Sequence, residues 1–377
     1  MFSGERMSIN FVIPCLLGIE SLIADELRNM GAEDVAAENG RVLFSGDENI
    51  LARVNICSRY AERVQILVGS FKAKTFEELF QGVKSLEWER WIGRQDAFPV
   101  KGYSINSALF STRDIQAISK KAVAERLKSK YGIEWFDETG PVHQIQFSIN
   151  KNIVSMLIDT SGAGLHKRGY RLSANGAPIK ETLAAALCNI SRLKPYHKFY
   201  DPMCGSGTIL IEGALAARNI APGINRNFSA ERFDAIDRKV WKEERERAKS
   251  LVREAHDFEA FGSDIDRQAL EIAKENAERA GVGDLIRFET ADVKDFAPLT
   301  DRGTVICNPP YGERMLDISA CEVLYKGMGV SFAAKHGWSY TVISPDEEFE
   351  KAFGRKADKR RKLYNGMIKC QAYMYFK

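Results

Sequence analysis

The chain has 377 residues, 45% hydrophobic and 28% charged, a globular composition that argues against a wholly disordered or fibrous protein. Fifty-four Lys and Arg against 51 Asp and Glu leave a net charge of +3, which excludes a uniformly basic nucleic-acid-binding chain but not local basic patches. Seven scattered Cys without a Cys-x-x-Cys pair, and five His with no two at metal-ligand spacing, point to reduced thiols in a cytoplasmic protein and away from a metal centre.

Ser8 to Leu17 reads as a strand. The apolar run from Phe11 to Ile19 follows Arg6 and mimics a signal peptide, but it holds Pro14 and meets Glu20 without a small-residue cleavage site, so export is not expected. No apolar run approaches the ~20 residues needed to span a bilayer, and no membrane partner is expected. Glu20 to Met30 is an amphipathic helix with Gly31 as its C-cap. Asn39-Gly40 turns into a short strand, Arg41 to Phe44. Asn49 to Ala61 is helical and Arg63 to Phe71 extended, the pattern of a small α+β unit.

Thr75 to Lys84 is a helix with a plausible N-cap, and Tyr103 to Ser111 alternates like a strand. Asp114 to Tyr131 is a helix closed by Gly132. Gln144 to Ile149 and Ile153 to Asp159 are two strands joined by Asn-Lys-Asn. Charge is uneven here: residues 1–59 carry 5 basic and 9 acidic groups, and residues 101–130 carry 7 basic and 2 acidic. The second stretch is either a solvated helix face or a phosphate-contacting surface.

The Gly- and Arg-rich segment from Ser161 to Pro178 marks a domain boundary, and a helix begins near Pro178. From 196 onward, strands at 197–203, 259–264, 285–291, 304–307, 338–344 and 367–376 alternate with helices. This is a doubly wound, mostly parallel α/β sheet. Arg238 to Arg253 reads as a charged, solvated helical excursion. Arg355 to Lys362 reads as a phosphate-gripping run or a solvated loop. There is no internal repeat and no low-complexity segment.

Four motifs follow four of the strands. Asp201-Pro-Met-Cys-Gly-Ser-Gly-Thr208 precedes an apolar helix; Gly205 and Gly207 allow a ligand to approach the backbone at the helix's positive end. Leu210 stands where a dinucleotide fingerprint needs its third glycine, so the loop suits a smaller anion such as a methionine carboxylate. Asp264, ending a strand, is placed to accept from a ribose diol, whereas Asp266 reads as a helix N-cap. Asp292 could accept from an adenine amine or simply cap a turn. Asn308-Pro-Pro-Tyr311 is the most specific of the four. Its prolines remove backbone donors and stiffen the turn. That leaves the Asn308 amide oxygen and the Pro309 carbonyl as acceptors for an amine, with Tyr311 offering a face for a planar base.

The series DPMCGSGT, GSDID, TAD and NPPYGER resembles class I S-adenosylmethionine-dependent methyltransferases acting on planar nitrogens. With GLHKRGYR, APIKETLAAAL, LYNGMIKC and SALFSTRDIQAISKKAVAERL, the whole chain resembles bacterial THUMP-domain RNA methyltransferases, nearest to the 23S ribosomal RNA guanine N2 branch. Longer members carry a second methyltransferase domain. The resemblance implies a ferredoxin-like unit at 1–60, a THUMP-like RNA-binding domain at 61–165 and a Rossmann-like domain with a seven-stranded sheet at 166–377. It implies that Asp201, Gly205, Gly207, Asp264 and Asp292 bind S-adenosylmethionine, with S-adenosylhomocysteine as product. Asn308, Pro309 and Tyr311 would serve the target amine. Lys120, Lys121, Lys128, Arg168 and Arg171 would hold RNA, 23S rRNA in particular, and no metal would be needed. Adenine N6 in RNA or DNA, a protein glutamine, and a non-catalytic RNA-binding role are the alternatives.

Overall fold

The computed structural model describes residues 8–171, 179–311, 318–332 and 336–376. Backbone contacts divide the chain into two units. Unit 1 comprises the chain to Cys15, Ile23–Leu165 and Arg226–Arg247; unit 2 comprises Leu16–Leu22, His166–Asn225 and Ala248 onward.

Unit 1 is built on one sheet. Its elements begin with β1 (Ile9–Pro14), α1 (Glu20–Asn29), β2 (Glu33–Glu38), β3 (Arg41–Gly46) and α2 (Glu48–Cys57). They continue with β4 (Gln65–Lys72), α3 (Phe76–Ser85), β5 (Val100–Ile105), α4 (Thr112–Tyr131), β6 (Ile145–Asn150) and β7 (Ile153–Asp159). The strand order is β2-β3-β1-β4-β7-β6-β5, so one sheet runs through both the ferredoxin-like and the THUMP-like stretches. Helix ends follow local chemistry. Thr75 and Glu78 form a reciprocal capping box on α3, and Gly132 closes α4 at φ +63°. The charged strand β2 was not expected from the sequence.

Unit 2 carries α5 (Glu181–Ile190), β8 (Lys198–Asp201) and α6 (Thr208–Ala217); α7 (Arg238–Ser250) follows, most of it in unit 1. Next come β9 (Glu259–Asp264), α8 (Arg267–Arg279), β10 (Ile286–Thr290), β11 (Gly303–Cys307) and α9 (Ile318–Ser331). The chain ends with β12 (Trp338–Ser344), α10 (Phe349–Phe353), β13 (Lys359–Asn365) and β14 (Ile368–Phe376). The order is β10-β9-β8-β11-β12-β14-β13, with β14 alone running antiparallel to the other six strands. One layer of its core is aromatic: Tyr200, Trp338, Tyr340, Phe332, Phe353 and Tyr375 pack together. Each such side chain stabilises the fold by roughly 1.5–3 kcal/mol.

Two expectations are corrected. The basic run ending at Lys362 is half strand: β13 pairs antiparallel with β14 and supplies the seventh strand. Arg355 lies on the Tyr375 ring and Arg360 pairs with Glu350, so two of the run's charges are used internally. The stretch Arg238–Arg253 is no solvated excursion either. Val240, Trp241, Glu244 and Ala248 are buried along one face of α7, and Glu244 takes a two-point ion pair from Arg53. The helix expected near Pro178 begins at Glu181 among the described residues; Pro178 itself lies outside them.

Candidate active site

The sheet of unit 2 reverses its strand order at β8, between β9 and β11. Ligands in such sheets bind beyond the carboxyl ends of the strands at that switch point. Parallel register brings four motif-bearing strand ends to one edge: Asp201 lies beside Gly262, Thr290 beside Asp264, and Val305 beside Tyr200.

The loop after β8 turns on two glycines with positive φ, Gly205 at +52° and Gly207 at +79°. A β-carbon on Gly207 would come within 3.1 Å of Ala273, so this glycine lets α6 pack on α8. A β-carbon on Gly205 would meet nothing within 4 Å, so here the loop faces open space. The Gly205 N–H donates to Asp264 Oδ2 at 2.9 Å, and Cys204 N–H donates to the Ser263 carbonyl at 3.0 Å, tying the loop to the end of β9. From beneath, the buried Asn276 amide donates to the Ser206 carbonyl at 3.1 Å.

Asp201 is 1% exposed and accepts from the Met203 N–H at 3.2 Å. Burial pushes its carboxyl well above the usual carboxylate range; the Met203 bond opposes this and the Asp264 charge adds to it. Asp201 therefore shapes the loop from below and presents no open carboxylate. Asp264 keeps Oδ1 on the Asp266 N–H at 3.0 Å, and Asp266 caps α8 through Gln268, as its spacing suggested. Asp292 caps the short turn after β10 by accepting from Lys294 N–H at 2.9 Å.

At the end of β11 the Asn308 amide oxygen is buried and has no hydrogen-bond partner among the described residues. Such an orphan costs roughly 1–3 kcal/mol and calls for a donor from a ligand. Pro309 is buried. The next carbonyl, that of Pro310, accepts from Tyr325 Oη at 3.4 Å. Tyr311 is only 8% exposed, and its hydroxyl accepts from the Asn365 amide at 2.9 Å. The ring is thus a pinned wall and not a free platform. Asn365 was missed in the sequence, where Asn-Gly-Met signals only the tight turn between β13 and β14. Gly312 and the rest of the GER motif lie outside the described residues.

The expected RNA-binding residues divide between the two units, Arg168 and Arg171 in unit 2 and Lys120, Lys121 and Lys128 in unit 1. Arg168 is 7% exposed, with Nε 3.5 Å from the buried Glu212 carboxylate, which also accepts from the Tyr170 hydroxyl at 3.1 Å. Arg168 is therefore a buried counter-ion and is removed from the RNA-binding set. Arg171 is largely engaged too, at 3.0 Å from Glu181 and 3.3 Å from the Thr208 hydroxyl. Burial raises the Glu181 carboxyl, against the pull of Arg171. In unit 1, Lys120 pairs with Glu138 at 3.3 Å and lies over Phe98, and Lys121 is exposed near the Phe80 ring. Lys128 is half-buried on α4. Among the described residues no three His, Cys, Asp or Glu converge as a metal site, and no helix is long and apolar enough to cross a membrane.

Comparisons with known proteins match the chain in three stretches. The RMKL-like methyltransferase domain matches residues 168–374, the RlmL ferredoxin-like domain 10–65 and the THUMP domain 73–159. YpsC of Bacillus subtilis (strain 168), provisionally named an RNA methyltransferase, is 45% identical over 96% of this chain and 94% of its own. The ribosomal RNA large subunit methyltransferase K/L of Psychromonas ingrahamii is 33% identical over 96% of this chain, which spans 49% of that longer protein. The crystal structure of SMU.472, a provisionally named methyltransferase complexed with S-adenosylhomocysteine, is 41% identical, has a TM-score of 0.93 and covers 98% of both chains.

Proposed function

The chain belongs to the RMKL-like, THUMP-bearing family of class I S-adenosylmethionine-dependent methyltransferases, and from that premise we propose that it methylates RNA on an exocyclic base nitrogen, the N2 of a guanine in 23S ribosomal RNA. The K/L relative, named for the large ribosomal subunit, supports this choice of target, as does the THUMP domain. The observation that carries the choice of chemistry is the buried Asn308 amide oxygen, without a donor among the described residues, on the same sheet edge as the open Gly205 turn.

The residues present fit the cofactor. The Gly205 turn leaves room for a close backbone approach at the N-terminus of α6, where a carboxylate is favoured. Gly207 sets the entry to that helix and Asp201 supports the loop from below. Asp264 would hold the ribose and Asp292 the adenine. When bound, S-adenosylmethionine supplies an electrophilic methyl group. The protein's task lies at the acceptor. An exocyclic amine is planar and weakly nucleophilic because its lone pair is delocalised. Accepting its two N–H bonds at Asn308 Oδ1 and the Pro309 carbonyl turns the lone pair out of the ring plane and toward the methyl group. Tyr311, braced by Asn365, forms the wall against which the base is placed. Positioning of this kind needs no metal. The base must leave its stack to enter, at a few kcal/mol. Seven unbridged cysteines support a cytoplasmic setting.

Asn308→Ala tests the reading. Calorimetry should show S-adenosylmethionine affinity kept within about threefold, while methyl transfer to rRNA fragments falls roughly 10²-fold. Mass spectrometry of the digested RNA should show N2-methylguanosine. N6-methyladenosine as the product, or undiminished turnover by the variant, would sink it.

A further inference from the structure

One face of the unit 1 sheet lies under helices. Phe147 and Met156 are buried there, and Gly82 of α3 is so close to the Phe71 ring that a β-carbon would come within 2.2 Å of it. Register carries the opposite face across four strands. Tyr103 lies beside Ser148, Ser148 beside Ser155, and Ser155 beside Ser70. The adjoining row runs Ile105, Asn150, Ile153 and Lys72. Tyr103 is 51% exposed, Ile105 and Ile153 are also open, and the Ser70 and Ser155 hydroxyls are hydrogen-bonded at 2.9 Å. The following loop folds back on this end of the sheet: Ala108 N–H donates to Asn152 Oδ1 at 2.8 Å, and Ser104 donates to the Leu109 carbonyl. It brings the 82%-exposed Phe110 to the same end.

Charge completes the description. Lys72, Lys101 and Lys151 are exposed around this face and make no ion pair among the described residues. No position in the two rows carries a carboxylate. On α4 half of the basic residues are engaged, since Arg126 and Lys130 share Glu89 and Lys120 holds Glu138, while Arg113, Lys121 and Lys128 make no ion pair among the described residues. Unpaired cations without anions select a polyanion. Open rings and alkyl groups select the faces of unstacked bases, and the exposed Ser70 and Asn150 side chains suit their edges, while Ser155 between the strands is buried at 4% exposure and braces Ser70. A duplex would hide those faces.

We propose that this open face of β5, β6, β7 and β4 binds a single-stranded stretch of the RNA substrate, with a base stacked on Tyr103 and phosphates near Lys72 and Lys101. The proposal rests on the reading of the protein as an RNA methyltransferase. The test is fluorescence anisotropy of the full chain with a labelled, mixed-sequence RNA of about 12 nucleotides. Tyr103→Ala should weaken binding roughly tenfold, and Tyr103→Phe, which keeps the ring, should stay within about twofold. Lys72→Ala with Lys101→Ala should lower the slope of log Kd against log salt by about one to two. S-adenosylmethionine affinity should stay at the wild-type value in all three. Wild-type RNA binding by Tyr103→Ala, or equal losses in Tyr103→Ala and Tyr103→Phe, overturns the proposal. Tyr103-dependent binding without guanine N2 methylation would leave this surface standing and remove the proposed reaction; methylation without Tyr103 dependence would do the reverse.

Discussion

Arg168 shows how far a single residue can be read without its partners. In the sequence it is one cation in a Gly- and Arg-rich segment, and RNA is an obvious destination. In the fold it is buried against Glu212, 44 positions away, and Tyr170 shares the same carboxylate. No local pattern announces that pairing, because it is made by packing and not by spacing. Arg168→Ala would strand a buried carboxylate and should destabilise the protein by roughly 3–5 kcal/mol in urea unfolding. Unchanged stability with weakened RNA binding would restore the surface role. The strand-end residues were legible for the opposite reason. Asp264 ends β9, Asp292 follows β10 and Asn308 follows the apolar β11, and parallel register then carries them to one edge. The burial of Tyr311 and its tether to Asn365 were not legible, since β13 reads as charge rather than as strand.

At the scale of elements, β2 and β13 escaped notice because both are edge strands. An edge tolerates charged side chains and gains protection from them, so neither shows the alternation of a covered strand. Helices with local caps were easier to read, as Thr75 and Gly132 show. The contact between α4 and the short turn at Trp88–Arg90 makes a measurable prediction. Arg126 holds the Glu89 carboxyl down to about 2, below its ordinary 4.5, by a two-point hydrogen bond, with Lys130 assisting. A depressed carboxyl stabilises the fold above its unfolded value, and that stability is lost as pH falls toward the folded one. The stability difference between wild type and Glu89→Gln should therefore be constant above pH ~5. It should shrink toward zero between about 4.5 and 2, with a plateau of roughly 1 kcal/mol because the pair is partly solvated. Urea melts across that range measure it.

At the scale of the whole molecule, the small net charge conceals local differences. The acidic stretch 1–59 and the basic stretch 101–130 both fall mainly in unit 1, and several of their charges are spent on internal pairs. Unit 1 is also not a continuous piece of chain. Phe228, Phe233, Ile236 and Trp241 are buried in it, and His143 stacks on Phe233 at 3.9 Å. A fragment ending at Leu165 should bind a hydrophobic dye and melt with low cooperativity. Joining residues 226–247 to it by a flexible linker should restore a sharp transition, and a sharp transition without them would show that they are dispensable.

That discontinuity bears on the order in which the protein is made. A ribosome that has released Leu165 has delivered every strand of the first sheet but not the residues that complete its core. Those follow roughly 80 residues later, a delay of about 4–16 s at ordinary elongation rates. During that interval apolar surface waits uncovered while β8, the first strand of the second sheet, emerges. Nascent-chain folding of this protein is therefore expected to follow a nested rather than a sequential order, with the first sheet closing only after the Gly205 loop has been synthesised.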